Sequence, residues 1–176
     1  GINDTAEISA YADYVLPTNA KMVFHGLESR SECLTILMIE NWVKTHPGWK
    51  VLYLHQKSAS HDPLSVAGQK RALWRRGMME DLVLNWQACV SRLGSNDVVC
   101  SHWKWHQCDG TQHIAAGNFW WSTSDFLARL PGIMLRDRIK QDGIGALSGR
   151  FEAEVWLGNG PKPRVFQFRP HWTPGM

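Results

Sequence analysis

Apolar residues in this chain come in two rhythms, short continuous runs and helical spacings, and their order predicts a strand-helix-strand start. Met22, Val23 and Phe24 make a short buried strand. Ser29 and Glu32 then spell a capping box, in which each side chain takes up a free backbone N–H at a helix start. The helix is predicted to run to about Thr45, with Cys33, Leu34, Leu37, Met38, Asn41 and Trp42 on one side, and Pro47-Gly48 stops it. Lys50 to His55 follows as a second strand, and its run Val51-Leu52-Tyr53-Leu54 suits a sheet covered on both faces.

From Gln56 to Gln69 no period is sustained, which marks a loop at a strand end, the place where α/β sheets carry ligands. A long helix is predicted from about Arg71 to Leu93, because Trp74, Met78, Leu82, Trp86, Cys89 and Leu93 trace one face. Its first turns would then hold Arg71, Arg75 and Arg76. Asp97 to Trp103 reads as a third strand, and His113 to Trp121 as a fourth. Ser124-Asp125 opens a short helix ended by Pro131, and the Gly- and Ser-rich stretch 132–149 reads as a mobile surface segment. Arg150 to Leu157 fits either helix or strand, and Val165 to Phe168 is a last short strand.

The length of 176 residues suits one core, so residues 1–20 are expected to be an arm and 21–176 a single α/β domain. A composition of 44% hydrophobic and 20% charged residues places the chain with ordinary globular proteins. No stretch reaches the roughly 18 to 20 apolar residues of a membrane span, and the first residues lack a secretory layout. The expectation is therefore a cytoplasmic protein without a transmembrane segment. A net charge of +3, spread along the chain, does not argue for nucleic acid. Cys33, Cys89, Cys100 and Cys108 show no C-x-x-C pair and read as reduced structural thiols. The ten Trp stand out. An indole stacks on a pyranose face while its N–H donates, although most Trp in a domain simply fill its core.

Four constellations bear on chemistry. Cys100, His102, His106, Cys108 and His113 are zinc-type ligands, but their spacing lacks the paired knuckles of structural zinc sites. Arg75 and Arg76, with Lys57 in the preceding loop, could hold a diphosphate; the competing reading is a solvated face with Glu80 pairing to Arg76 at i, i+4. His55 and Asp62 are candidates for a Mg²⁺ or Mn²⁺ site at the end of the second strand. Glu152 and Glu154, between Phe151 and Trp156, offer carboxylates whose pKa apolar rings could raise toward acid-base work, with surface salt-bridging favoured for Glu152.

Tyr53-x-His55-x-Lys57, Trp74-Arg75-x-x-Met78, His113-x-x-x-Gly117-Asn118-Phe119-Trp120-Trp121 and Arg150-x-x-x-Glu154-x-Trp156 form an ordered series. It resembles the pattern of a group of bacterial and viral glycosyltransferases. The resemblance covers roughly residues 50–157 and implies a GT-A-like fold, a mostly parallel sheet flanked by helices, here shortened or diverged at its N-terminus. It also implies transfer of a sugar from a nucleotide-diphosphate donor to a glycan acceptor, with inversion, and Glu154 as the base. His113, Gly117, Asn118 and either Trp120 or Trp121 would meet the sugar, since neighbouring strand residues face opposite ways. Lys57, Arg75 and Arg76 would hold the diphosphate. Ser58 replaces the usual Gly, and no Asp-x-Asp metal signature is present, which leaves Mn²⁺ or Mg²⁺ dependence open. The alternative is a non-catalytic carbohydrate-binding domain that keeps the aromatic site.

Overall fold

The computed structural model describes residues 32–55, 64–105, 113–133 and 153–170. The chain divides into two units, Gly1–Arg30 and Ser31–Met176, and every described residue lies in the second. The predicted strand Met22–Phe24 and the Ser29 half of the capping box lie outside the described residues.

Helix α1, Cys33–Val43, starts after Glu32, whose side chain makes no capping bond. Its buried face is Ile36, Glu40 and Val43; of the predicted stripe, Cys33 and Leu37 pack against the core, whereas Asn41 and Trp42 are exposed. Two contacts explain the rotation. Trp42 stacks on His46 with ring centroids 4.0 Å apart, and Glu40 turns inward to accept the Ile133 N–H at 3.1 Å while holding Lys44 at 2.9 Å. Gly48, at φ +78°, takes the left-handed turn into strand β1, Lys50–Tyr53.

Helix α2, Val66–Met79, is capped by the Ser65 hydroxyl, which accepts the Gly68 N–H at 3.0 Å. It begins a turn and more before Arg71, so Arg71, Arg75 and Arg76 sit beyond the first turn, where the helix dipole has faded. The predicted single helix is also interrupted by a π-helical segment, Glu80–Leu84, before α3, Trp86–Arg92. A π segment loosens the i to i−4 ladder, and its carbonyls find other donors. The Trp121 indole N–H donates to Leu82 O at 2.7 Å, and the Cys89 thiol to Asp81 O at 3.4 Å.

Strand β2 is Val98–Cys100, β3 is Trp103–Trp105, β4 is His113–Ala115 and β5 is Trp120–Thr123. A short helix α4, Ser124–Leu127, follows with a Thr123 hydroxyl cap, and after the 3-10 turn Trp156–Gly158 comes β6, Val165–Gln167. The main sheet has the order β1-β5-β2-β6, while β3 and β4 form a separate antiparallel ribbon.

This arrangement overturns the expectation of a mostly parallel, GT-A-like sheet. Strand β5 runs antiparallel to both β1 and β2, and only β2 and β6 pair in parallel. The cause lies inside the aromatic tract. Gly117 and Asn118 both take positive φ, 84° and 55°, so the predicted strand from His113 to Trp121 breaks in two. Its first part joins the ribbon, and its second enters the sheet in the reverse direction.

Alternation across the sheet sorts the core into two layers. Tyr53, Val98, Cys100 and Trp120 face α1, α4 and the segment Ala153–Leu157, with Phe126, Leu127 and Trp156 among the packed residues. Val99, Trp121 and Phe166 face the other way, against Trp74, Met78, Leu82 and Cys89 of the α2–α3 layer. The sheet edge is held by Asp97, which takes the Arg164 guanidinium at 3.1 Å on each oxygen and the Arg164 backbone N–H at 2.9 Å. On the α2 side Arg169 grips Asp81 in the same two-pronged way, at 2.7 and 3.1 Å, while its Nη2 reaches Gly77 O at 3.5 Å.

Candidate functional site

The last residues of β1 and the turn before β5 meet at one carboxylate, that of Glu32. Glu32 Oε1 lies 3.1 Å from His55 Nδ1, and Oε2 accepts from the Tyr53 hydroxyl at 3.3 Å and from Asn118 Nδ2 at 2.5 Å. Asn118 is buried, and its Oδ1 accepts the Trp120 indole N–H at 3.0 Å. His55 Nε2 faces Gly117 O at 2.8 Å. The backbone shape makes this possible. The left-handed pair Gly117-Asn118 turns the Asn118 side chain toward Glu32 and leaves the Gly117 carbonyl beside His55.

Gly117 also fixes how closely α2 approaches. A Cβ there would stand 2.6 Å from Met78 Sδ and 3.0 Å from Trp74 Cζ2, so the Trp74 and Met78 side chains lie directly on the glycine. Tyr53 stacks on Trp120 at 5.1 Å, and Trp120 leans on Trp156 at 6.3 Å. That contact brings the segment carrying Glu154 to the same place. Gly158 helps, because a Cβ there would overlap the His113 carbonyl, so only glycine lets the 3-10 turn press on β4.

Burial pushes the Tyr53 phenol well up, and the charges of Glu32 and Glu154 push it the same way. Tyr53 therefore stays a proton donor to Glu32. His55 sits between two acceptor oxygens, and neutral imidazole has one N–H. Because both ring nitrogens are committed, His55 does not fit a cation ligand. Asp62 lies outside the described residues, and among the described residues no three His, Cys, Asp or Glu side chains could hold a metal ion.

The other expected site residues are placed as follows. Glu154 is half-buried, and among the described residues nothing hydrogen-bonds its carboxylate. His113, on β4, lies parallel to Trp103 with ring centroids 6.0 Å apart. Trp120 and Trp121 do face opposite ways, but Trp120 is wholly buried and the Trp121 N–H is spent on Leu82, so neither offers an open platform. Arg75 and Arg76 are both exposed, and Arg76 pairs with Glu80 at 3.0 Å. Lys57 and Glu152 lie outside the described residues. Of the zinc-type cluster, Cys100 is fully buried in the core, His102 Nδ1 meets Arg169 O at 2.9 Å, and His106 and Cys108 lie outside the described residues.

No family model, curated protein or solved structure matches the chain.

Sequence reasoning missed Glu32 as a site residue. The capping box supplied a complete local role for its carboxylate, and nothing in the spacing shows that Tyr53, His55 and Asn118 claim it. A signal was present in the motif Tyr53-x-His55, two polar-tipped rings on one strand face with no acidic partner nearby in sequence.

Proposed function

We propose that the chain is a glycosyltransferase that moves a sugar from a nucleotide-diphosphate donor to a glycan acceptor. The observation that carries this reading is convergence. Tyr53, His55 and Asn118, from separate segments of the ordered motif series, meet at the Glu32 carboxylate, and Gly117 adjoins His55, Trp120 adjoins Asn118 and the Glu154 charge acts on Tyr53. A core needs no such buried polar set, since unpaired polar groups are costly and an apolar filling is simpler.

In the proposed reaction Glu154 is the base, the role its place in Arg150-x-x-x-Glu154-x-Trp156 implies, and among the described residues nothing hydrogen-bonds its carboxylate. It takes the proton of an acceptor hydroxyl as that oxygen bonds to the anomeric carbon, and the bond from that carbon to the diphosphate oxygen breaks with its electron pair. Glu32 is a positioning residue that holds His55, Tyr53 and Asn118. Lys57, Arg75 and Arg76 are the cations proposed for the leaving diphosphate.

The test is thermal-shift screening against nucleoside diphosphates and their sugars, with and without Mn²⁺ or Mg²⁺, followed by transfer assays on glycan acceptors. Stabilisation by nucleotide sugars, and transfer lost about 100-fold or more in Glu154→Gln, is expected. Stabilisation by free sugars alone would instead favour the non-catalytic carbohydrate-binding domain. Wild-type transfer by Glu154→Gln would remove Glu154 as base.

A further inference from the structure

Among the described residues Trp42, Trp49 and Trp86 are the exposed tryptophans, and the first two are neighbours in space. Trp42 stacks flat on His46, with ring centroids 4.0 Å apart and planes 12° apart. Trp49 stands at 80° to Trp42 and at 76° to His46, with centroids 5.4 and 6.2 Å away. Two such similar distances place it beside the stacked pair, not on top of it, and Trp49 remains 57% exposed. Trp120 and Trp121 offer no open platform, so the open indole surface of this layer lies here.

The backbone around this corner holds it in place. The Trp49 N–H donates to Ser124 Oγ at 3.0 Å, and Trp49 O accepts the Ser124 N–H at 2.9 Å. The Gly48 N–H reaches Asp125 Oδ1 at 3.1 Å, and His46 Nδ1 lies 2.8 Å from Trp42 O and 2.9 Å from Thr45 Oγ1. A preset surface loses less entropy when something binds to it. Among the described residues neither the Trp42 nor the Trp49 indole N–H is taken up by an acceptor.

The surroundings select the occupant. Asn41, Lys44, Thr45, Lys50 and Asp125, next to the rings in the chain or bonded to the turn between them, are all exposed and polar. A protein-binding centre joins its aromatic anchors to further apolar groups, and a groove for a nucleic-acid strand is positively charged, whereas this rim holds both signs. A cage for an organic cation sets its rings around the guest, whereas these rings touch one another. An open indole face with a spare N–H and a hydrogen-bonding rim suits a pyranose, which is apolar on its C–H face and polar along its hydroxyl edge.

We propose that Trp49, backed by Trp42 and His46, is a carbohydrate-binding platform on which one pyranose of a glycan chain stacks. It is separate from the Glu32 site, since Trp49 precedes β1 and His55 follows it, about 20 Å away at the rise of a strand. The inference does not rest on the glycosyl-transfer reading, because stacking needs neither a nucleotide nor a base.

Saturation-transfer NMR on the full chain without nucleotide tests it, with cellohexaose and chitohexaose as probes and mannitol, which has no ring, as the control. Saturation of the C–H protons of a hexaose and none of mannitol is expected. Trp49→Ala should keep the circular dichroism spectrum and weaken hexaose binding about tenfold or more. Trp49→Phe, which keeps a ring to stack on, should recover most of that loss. Trp86→Ala, which removes an exposed indole outside the corner, should bind like wild type. Absence of transfer to both hexaoses, equal transfer to mannitol, unchanged binding by Trp49→Ala, or an equal loss in Trp86→Ala would each overturn the proposal. A dimer in light scattering that Trp49→Ala dissolves, with no hexaose bound, would give the corner to a second copy of the chain instead.

Discussion

Glu32 Oε1 and His55 Nδ1 face each other at 3.1 Å across the mouth of β1, while the opposite nitrogen of the ring meets a backbone carbonyl. The ring is thus fixed by a carboxylate on one side and by the left-handed turn at Gly117 on the other. Replacing Glu32 in two ways separates charge from hydrogen bonding. Glu32→Gln can still accept from Tyr53 and Asn118 and can donate to a neutral His55, so it should lose no more than about 1 kcal/mol. Glu32→Ala strands three partners and should lose about 2 to 4 kcal/mol. Urea denaturation measures both.

Gly117 and Gly48 both have positive φ, but only Gly117 is crowded. Gly48→Ala meets nothing within 4 Å and should cost only the backbone strain, about 1 kcal/mol. Gly117→Ala adds overlap with Met78 and Trp74 and should cost about 2 to 4 kcal/mol. Thermal or urea unfolding of the two variants should therefore differ clearly, and equal losses would mean that α2 yields freely at the turn.

The Arg164 guanidinium fork beside Asp97 holds its carboxyl below the usual carboxylate range, with Arg129 adding to the effect. A depressed folded-state pKa stabilises the fold fully above the unfolded value, and the gain is lost as pH falls through the folded value. Stability of the wild type should thus fall from about pH 4 downward. Asp97→Asn should start less stable at neutral pH and show a flatter acid limb. Urea midpoints at a series of pH values check the slope.

Burial pushes the Cys89 thiol up to about 11 and the Cys100 thiol further still. Both should resist alkylation in the native protein at pH 8, because the thiolate is the reactive form and neither sulfur is exposed. Half-buried Cys33 should react first of the three. Iodoacetamide labelling followed by peptide mass spectrometry reads the order, and early labelling of Cys100 would mean that the sheet opens easily.

Local elements were legible where a single pattern dominates. The β1 run, the helix stop at Pro47-Gly48, the helix bearing Trp74 and Met78, and the last strand at Val165 all follow from spacing. Sheet direction was not, because it turns on two left-handed residues within an apolar tract that otherwise reads as one strand. The side of α1 that is buried was also hidden, since Glu40 is drawn inward by the Ile133 N–H, a partner far along the chain. The same holds at the site. The motif residues were visible one by one, but Glu32, which ties them together, already had a sufficient local reading as a helix cap. Long-range hydrogen bonds leave no period in a sequence, and they decide these cases.

Strand β5 lies between β1 and β2 yet follows both in the chain. During synthesis, β1 and β2 emerge before the described strand that receives their backbone hydrogen bonds between them, and that gap stays open until Trp120–Thr123 leaves the ribosome. The nascent chain therefore carries the inner edges of Lys50–Tyr53 and Val98–Cys100 unpaired until β5 follows. A pause placed once β5 has left the ribosome would let it pair with β1 and β2, whereas one placed before that would lengthen the period in which those edges can pair with other chains.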